Sequence, residues 1–242
     1  MEIVIKQTTD QTGKEAAALG TQLIQEAIAN KGFVNVIFAT GAAQFEMLNN
    51  LIKAPIDWNA LNGFHLDEYI GLSMDHKASF RKFLKERFVD KVKPRTFHYI
   101  NGEAEPAREC ERLNALTLQN PIDVAFVGIG ENTHLAFNDP PADFETEKPY
   151  IQVTLDEACR MQQLHEGWFN SFDEVPLSAI SMSVKQILKS KAIIAVVPER
   201  RKAKAVYLTL KSDISPSVPA SILRQHHNTT LFLDNHSASL LD

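Results

Sequence analysis

Short apolar or β-branched runs alternate along the chain with longer segments in which apolar residues recur every three or four positions. The short runs predict strands, several of them hydrophobic throughout, as is typical of strands covered on both faces. The longer segments predict amphipathic helices. The alternation predicts an α/β fold, a Rossmann-like open, mostly parallel sheet with helices on both faces. Predicted strands cover residues 3–6, 34–39, 63–66, 97–100, 123–127, 151–154, 177–182, 192–197 and 229–233, and predicted helices cover residues 12–31, 44–53, 76–92, 103–118 and 199–211.

The segment 79–92 has a clear helical pattern. Its apolar residues Phe80, Phe83, Leu84 and Phe88 fall on one stripe, and lysines and arginines occupy other positions. We expect this stripe to face the sheet and to belong to the core. No repeat, low-complexity segment or linker-like change in composition interrupts the sequence, so it predicts a single domain over residues 1–242.

Composition narrows the class of function. With 44% hydrophobic residues the chain can bury a sizeable core, and a formal net charge of -5 gives no electrostatic basis for binding nucleic acid. The two cysteines, Cys110 and Cys159, cannot build a disulfide framework and fit a reducing compartment. No apolar run approaches the roughly 18 residues of a membrane helix, and the N-terminus lacks a signal-peptide pattern. We therefore expect a cytoplasmic protein that binds neither nucleic acid nor membranes.

Candidate chemistry lies at the ends of predicted strands, where the loops of an open α/β sheet bind ligands. The first such loop, Thr40-Gly41-Ala42, joins a strand to a helix, and free backbone N–H groups at this kind of junction can hold a phosphate. Packing geometry alone also explains a turn of small residues, so this loop by itself leaves both interpretations open.

A second loop begins with Asp67-Glu68-Tyr69, so two adjacent carboxylates follow a hydrophobic strand. Because burial raises the pKa of a carboxyl group, an acid in this position can act as a general base. Helix capping or a surface salt bridge would explain the same pair of acids. The residues alone do not decide between these alternatives.

The third loop, residues 128–140, contains two glycines and a histidine and follows an apolar strand. Histidine is the side chain best suited to moving protons near neutral pH. In this loop His134 has a potential orienting partner in Asn132 and a nearby acid in Asp139. A lone loop histidine is often structural, but a shared polar loop favours a catalytic role.

In order and spacing these loops resemble the glucosamine-6-phosphate deaminase (isomerase) family, whose superfamily includes 6-phosphogluconolactonase. The family's motifs are Thr-Gly-Gly-Thr-Pro, Asp-Glu-Tyr-x-Gly and Gly-x-Gly-x-Asp-Gly-His-x-Ala-Phe-Asn-Glu-Pro, and the likeness runs from about Thr40 to Ile222. The resemblance implies conversion of glucosamine 6-phosphate and water to fructose 6-phosphate and ammonia, without a cofactor. The expected partner is therefore a small sugar phosphate.

The resemblance also implies roles for individual residues. Asp67 would remove the C2 proton of the sugar and return it to C1, and His134 would assist opening of the pyranose ring. The substrate and its phosphate would be held by Thr40, Gly41, Ala42, Glu68 and Lys202.

The sequence departs from the family motif close to His134. The acid two positions before the histidine is replaced by Asn132, the intervening glycine by Thr133, and the last acid is shortened to Asp139. Asn132 can orient the imidazole through a hydrogen bond but cannot stabilise an imidazolium by charge, so Asp139 or Glu131 would have to supply that charge.

The phosphate turn differs as well, and the family's arginine before a Phe-Phe pair has no clear equivalent. Arg160, slightly upstream, is the candidate second cation. These changes leave the identity of the sugar undecided, with galactosamine 6-phosphate as an alternative substrate.

A 6-phosphogluconolactonase-type hydrolase is less favoured because Tyr69 follows the acid pair where that family typically has arginine. A sensor that binds without catalysis is less favoured because Asp67 and His134 are retained.

The spacing of histidines and acids does not assemble a metal-ligand set, and the proton transfers need no metal. We therefore expect no metal site. Because relatives often associate, a homo-oligomer is possible, but the sequence does not decide the oligomeric state.

Overall fold

The computed structural model describes residues 1–241, and within this range the chain forms ten strands. They are β1 (Glu2–Lys6), β2 (Val34–Phe38), β3 (Leu61–His65), β4 (Asp67–Tyr69), β5 (Thr96–His98), β6 (Val124–Val127), β7 (Tyr150–Thr154), β8 (Ser178–Met182), β9 (Ala192–Val197) and β10 (Thr229–Asp234). The main sheet of the described residues has seven strands in the order β1-β10-β9-β6-β2-β3-β5. All neighbouring pairs in it are parallel. The predicted α/β fold with a mostly parallel sheet is confirmed.

A second sheet of three antiparallel strands, in the order β4-β8-β7 within the described chain, lies apart from the main sheet. The sequence predicted strands at 151–154 and 177–182, and both exist, but they belong to this small sheet. Strand β4 was not predicted. It begins one residue after the end of β3, and its sequence was interpreted as the loop that leaves β3. In β4, Asp67 pairs with Ser181 of β8.

Helices cover both faces of the main sheet. They are α1 (Thr9–Lys31), α2 (Phe45–Leu51), α3 (Phe80–Leu84), which continues through a π-helical turn (Lys85–Val89) into α4 (Asp90–Val92), α5 (Pro106–Gln119), α6 (Glu157–His165), α7 (Val184–Leu188) and α8 (Ala203–Lys211). Successive residues of a strand point to opposite faces. In β2, Val36 and Phe38 pack in one hydrophobic cluster with α1 and α2, while Ile37 packs in a second cluster with α5 and α8.

The predicted apolar stripe at Phe80, Phe83, Leu84 and Phe88 is buried, at 0 to 7% exposure, as expected. The helix that carries it begins at Phe80 rather than at residue 76, because the Ser79 side chain accepts a hydrogen bond from Lys82 N and caps the first turn.

Two helices, α6 and α7, were not predicted. Helix α6 buries Gln162 and Gln163 beside Cys159, so its inward face is largely polar and shows no apolar stripe. Helix α7 is only five residues long. Within residues 1–241, no helix combines the length and apolar composition needed to cross a membrane. The single-domain organisation over residues 1–242 stays a prediction, and its last residue, Asp242, lies outside the described residues.

Candidate active site

A pocket opens at the carboxyl ends of β9, β6, β2 and β3. These four strands are neighbours in the main sheet, so the loops that follow them meet at one edge. Six of the residues predicted to form the site line this pocket: Thr40, Gly41, Ala42, Asp67, His134 and Lys202. The structure therefore brings the three predicted loops together with the predicted lysine.

The turn after β2 presents its backbone to the pocket. Gly41 has a φ of 93°, a conformation that glycine adopts without strain. The next residues form a short 3-10 turn, Ala42–Gln44, in which Gln44 N donates to Gly41 O at 3.1 Å. The Gln44 side chain, which the sequence reasoning did not single out, is buried in the pocket wall and its Oε1 has no hydrogen-bond partner among the described residues.

Asp67 is the first residue of β4 and is 6% exposed. Its Oδ1 is buried and accepts no hydrogen bond from the described residues. Burial, and secondarily the adjacent Glu68 carboxylate, raises the pKa of Asp67 to about 8. A carboxylate in this state is a stronger base than an ordinary aspartate, and it faces the pocket.

Glu68 lies outside the pocket, contrary to the role in substrate binding that the resemblance implied. Its fully buried carboxylate accepts hydrogen bonds from the backbone N–H groups of Tyr69, Phe80 and Arg81 and from Ser79 Oγ, at 2.7 to 3.2 Å. Successive residues of a strand point to opposite faces, so when Asp67 faces the pocket Glu68 faces the first turn of α3. Its position matches the helix-capping alternative that the sequence had left open.

The histidine loop is shaped by a close approach between Gly130 and the His134 ring. A Cβ atom built on Gly130 would lie 2.2 to 2.4 Å from three ring atoms of His134, so only glycine fits beneath this imidazole. Gly130 N donates to His134 O and Thr133 N donates to Gly130 O, each at 3.0 Å. Thr133 has a φ of 74°, which is unusual for a β-branched residue.

The charge partner of His134 is Asp139. The two atoms His134 Nδ1 and Asp139 Oδ1 lie 3.0 Å apart, although the N–H direction is not aligned for a full hydrogen bond. Burial alone would raise the pKa of Asp139, but the contacts with His134 and Asn132 hold it below its usual value. Of the two acids that could supply the charge missing at Asn132, Asp139 does so. Glu131 is paired with Arg201 instead.

Asn132 acts on the acid rather than on the imidazole. Its Nδ2 donates to Asp139 Oδ1 at 2.9 Å and to Asp156 Oδ2 at 3.0 Å. Its Oδ1 accepts from the backbone N–H of His134 at 3.2 Å. The expectation that Asn132 orients the His134 ring directly is therefore replaced by an arrangement in which it positions Asp139 and the loop backbone.

Lys202 ends the 3-10 turn Arg200–Lys202 that leads into α8. The side chain is 3% exposed, and burial, with a further contribution from the Arg201 charge, lowers the pKa of Lys202 to about 8 against the opposing effect of Glu166. The turn is fixed by Glu199, whose N–H donates to the Asp234 carboxylate at 3.1 and 3.2 Å.

Arg160, the predicted second cation, lies outside the pocket. Its Nη2 donates to the carbonyl oxygens of Phe172 and Val175, both at 2.9 Å, and its guanidinium lies 4.0 Å above the Phe172 ring. These contacts use Arg160 to hold the segment that follows α6. The second cation in the pocket wall, beside Lys202, is Arg201, which the sequence reasoning missed although it directly precedes Lys202.

Helix α6 contributes further polar lining that was not predicted, namely Gln162, Gln163 and Glu166. Gln162 accepts from Glu131 N at 2.9 Å through its Oε1 and donates to Glu166 Oε1 at 3.0 Å through its Nε2. Because α6 itself was not predicted, no sequence signal pointed to these residues.

One group of potential metal ligands exists at the site, although sequence spacing suggested none. Ligand atoms of His134, Asp139 and Cys159 lie within 4.8 Å of one another. Cys159 is buried, and both cysteines are free thiols. The expectation that the protein needs no metal stays a prediction.

The fold and the pocket are those of an α/β enzyme with groups for proton transfer and for holding an anion, and comparison with known proteins defines the family. Residues 7–232 match the model of the family described as glucosamine-6-phosphate isomerases/6-phosphogluconolactonase. The chain therefore belongs to this family.

Curated relatives carry the name glucosamine-6-phosphate deaminase. The one from Lactobacillus delbrueckii subsp. bulgaricus is 31% identical over 243 residues and covers 100% of both chains. The one from a Thermoanaerobacter species is 33% identical over 249 residues, covering 100% of this chain and 95% of the relative.

Among solved structures, a monomeric glucosamine-6-phosphate deaminase superimposes with a TM-score of 0.89 at 31% identity, covering 99% of this chain and 100% of the other. The 6-phosphogluconolactonase from Trypanosoma brucei superimposes with a TM-score of 0.83 at 14% identity, covering 100% of this chain and 98% of the other. The second likeness concerns the fold alone.

Proposed function

We propose that the protein converts glucosamine 6-phosphate and water to fructose 6-phosphate and ammonia. The observation that carries this proposal is the composition of one pocket, in which the desolvated Asp67 carboxyl, the His134–Asp139 pair and the buried Lys202 occur together. Relatives named glucosamine-6-phosphate deaminase, similar over the whole chain, support the same reaction.

In the proposed mechanism, the backbone turn at Thr40, Gly41 and Ala42 and the Lys202 ammonium hold the phosphate. A dianionic phosphate suits backbone N–H donors and a cation within a largely buried pocket. The phosphate then fixes the sugar so that its C1 and C2 atoms lie near the other groups of the pocket.

His134 assists ring opening by taking the proton of the C1 hydroxyl and delivering it to the ring oxygen of the sugar, as the bond between C1 and that oxygen breaks and the aldehyde forms. The Asp139 carboxylate stabilises the imidazolium form of His134, as the acid of a catalytic pair does. Asn132 in turn positions Asp139 through its hydrogen bond.

The Asp67 carboxylate removes the C2 proton of the open-chain sugar and returns it to C1. The enolamine formed in between becomes a ketose imine when C1 is protonated. Water adds to this imine at C2, and the C2–N bond breaks to release ammonia and the ketose 6-phosphate. Because the proton moves between adjacent carbons, one base is sufficient for both transfers.

Turnover of amino-sugar phosphates tests the proposal directly. Purified protein is expected to release ammonia and form fructose 6-phosphate from glucosamine 6-phosphate, and D67N is expected to abolish both while still binding inorganic phosphate. Galactosamine 6-phosphate belongs in the same assay because the departures near His134 leave the sugar open. Absence of ammonia release from every hexosamine 6-phosphate would overturn the proposal.

Hydrolysis of 6-phosphogluconolactone in a parallel assay would favour the lactonase alternative, which rests on the shared fold and on a family description that includes both activities. Binding without turnover of either substrate would favour a sensor. Cytoplasmic location belongs to the same proposal, supported by the two free cysteines.

A further inference from the structure

Arg201 adjoins Lys202 in sequence and forms part of the same pocket wall. We infer that Arg201 binds the phosphate group of the sugar substrate together with Lys202. The inference rests on the proposed function and gives Arg201 the task that the sequence reasoning had assigned to Arg160.

Carboxylates hold the Arg201 guanidinium by two of its three nitrogens. Nε donates to Glu199 Oε2 at 2.6 Å, and Nη1 donates to Glu166 Oε1 at 2.6 Å and to Glu131 Oε1 at 3.2 Å. Among residues 1–241, Nη2 has neither a hydrogen-bond acceptor nor an ion-pair partner. The guanidinium is thus fixed in orientation and keeps one free nitrogen, so binding a ligand would cost little side-chain entropy.

The free nitrogen has the chemistry that a phosphate requires. It offers two N–H donors on a planar cation, and guanidinium groups bind phosphate oxygens with charge-assisted hydrogen bonds. A sugar phosphate carries a charge between about -1.5 and -2 at neutral pH. Lys202 supplies one positive charge, and Arg201 beside it offers a second to the same phosphate.

The three carboxylates around Arg201 differ in how strongly they weaken its attraction for a phosphate. The side chains of Glu131 and Glu199 are 36% and 37% exposed, so water screens their charges. Glu166 is only 8% exposed and lines the pocket itself. Arg201 therefore has a second task, because without it the Glu166 carboxylate would face the bound phosphate unpaired.

Arg160 is excluded by its position, although its Nη1 also has no acceptor among the described residues. Its Nε and Nη2 donate to carbonyl oxygens of Val175 and Phe172, and the side chain lies outside the pocket. Moving it to a phosphate would break these contacts.

The decisive experiment separates phosphate binding from neutralisation of Glu166. R201Q should raise KM for glucosamine 6-phosphate about tenfold or more, as expected for loss of a charge-assisted hydrogen bond, with a smaller effect on kcat. The double variant E166Q/R201Q also removes the acid, so its KM stays high if Arg201 binds phosphate. A return of KM to the wild-type value in the double variant would show a purely neutralising role and overturn the inference.

R200Q is the matched control, because Arg200 is the preceding residue of the same turn, is exposed, and does not line the pocket. Its KM should stay within about twofold of wild type, as is usual for an exposed residue. R201K keeps the positive charge and serves as the second variant if R201Q folds poorly, and its KM should still rise because a point charge cannot replace the planar fork. Wild-type KM in R201K would also contradict the inference.

Protection by inorganic phosphate gives a readout that does not depend on turnover. Phosphate should raise the Tm of wild type and R200Q, and the shift should shrink in R201Q and in E166Q/R201Q. Equal shifts in all four proteins would overturn the role of Arg201. If wild type shows the shift but does not turn over glucosamine 6-phosphate, the proposed reaction fails and the phosphate-binding role of Arg201 is still decided.

Discussion

Asp67 shows how burial at a single residue prepares a carboxyl group for proton transfer. Its Oδ1 has no hydrogen-bond donor within the described chain, and the pKa of the group is raised to about 8. The same burial that makes the carboxylate a stronger base also keeps much of it protonated at neutral pH. The activity of the free enzyme should therefore depend on pH near 8, a range in which an ordinary aspartate does not titrate.

We predict that kcat/KM for glucosamine 6-phosphate rises with pH up to about 8, because the base form of Asp67 increases as its carboxyl ionises. Above that pH it should fall as Lys202, with its pKa lowered to about 8, loses its charge. The measurement is a pH profile from 5 to 10 at low substrate concentration. The substrate phosphate ionises near pH 6, so an ascending limb confined to that region would contradict the assignment.

In the histidine loop, the replacement of a motif acid by Asn132 does not leave His134 without a charged partner. Asp139 lies 3.0 Å from its Nδ1 and receives a hydrogen bond from Asn132 at 2.9 Å. The chain thus keeps one negative charge beside the imidazole and uses the amide to orient that charge. Sequence comparison alone registers a lost acid, whereas the fold retains the electrostatic partner.

At the scale of elements, the junction between β6 and the histidine loop depends on one of its two glycines much more than on the other. A Cβ atom on Gly130 would meet the His134 ring at 2.2 to 2.4 Å, whereas on Gly128 its nearest contact would be Gln44 Nε2 at 3.4 Å. The first contact is shorter than atoms can approach, and the second is ordinary.

We predict that G130A displaces the His134 ring and lowers kcat by about 100-fold, the scale of loss that a displacement of about 1 Å can cause. G128A, the matched control in the same loop, should retain activity within a few-fold. Both variants are compared by kcat and by circular dichroism, so that a folding defect is recognised. Similar activities of the two variants would show that the ring position at Gly130 does not limit turnover.

Elements with a strong apolar pattern were predictable from the sequence, and those with a polar buried face were not. Strand β9 agrees with the predicted range, and the stripe at Phe80 to Phe88 is buried as expected. Helix α6 escaped prediction because Gln162 and Gln163 face inward. The division into two sheets depends on pairing between distant strands, such as Asp67 with Ser181, which periodicity does not encode.

The residues of the candidate site also fall into two groups, those that the sequence could identify and those that it could not. Residues at the ends of apolar strands, such as Asp67 and His134, could be selected from the sequence because the strand and the direction of the chain were recognisable. Arg201 and Glu166 meet only because α6 and the turn before α8 pack together, 35 residues apart in sequence. Glu68 was assigned to the substrate because strand β4 was not recognised. Without that strand, the sequence also did not reveal the alternation of side chains that turns the Glu68 carboxylate toward α3.

At the scale of the whole molecule, the pocket wall is composed of residues from one chain. The loops after four adjacent strands supply the base, the histidine and the phosphate turn, and α6 closes the side next to Arg201. A related deaminase of known structure, with a TM-score of 0.89, is described as monomeric. A homo-oligomer stays a prediction for this chain.

We predict that specific activity is independent of protein concentration between about 1 nM and 1 µM, because one chain supplies the base, the histidine and the phosphate turn of the pocket. The measurement is initial rate per mole of chain across this range, with light scattering at the upper end to determine the mass. If scattering shows a dimer whose activity is lost on dilution, a partner must order the loops around the pocket. Constant activity together with the mass of a single chain would establish that each chain works on its own.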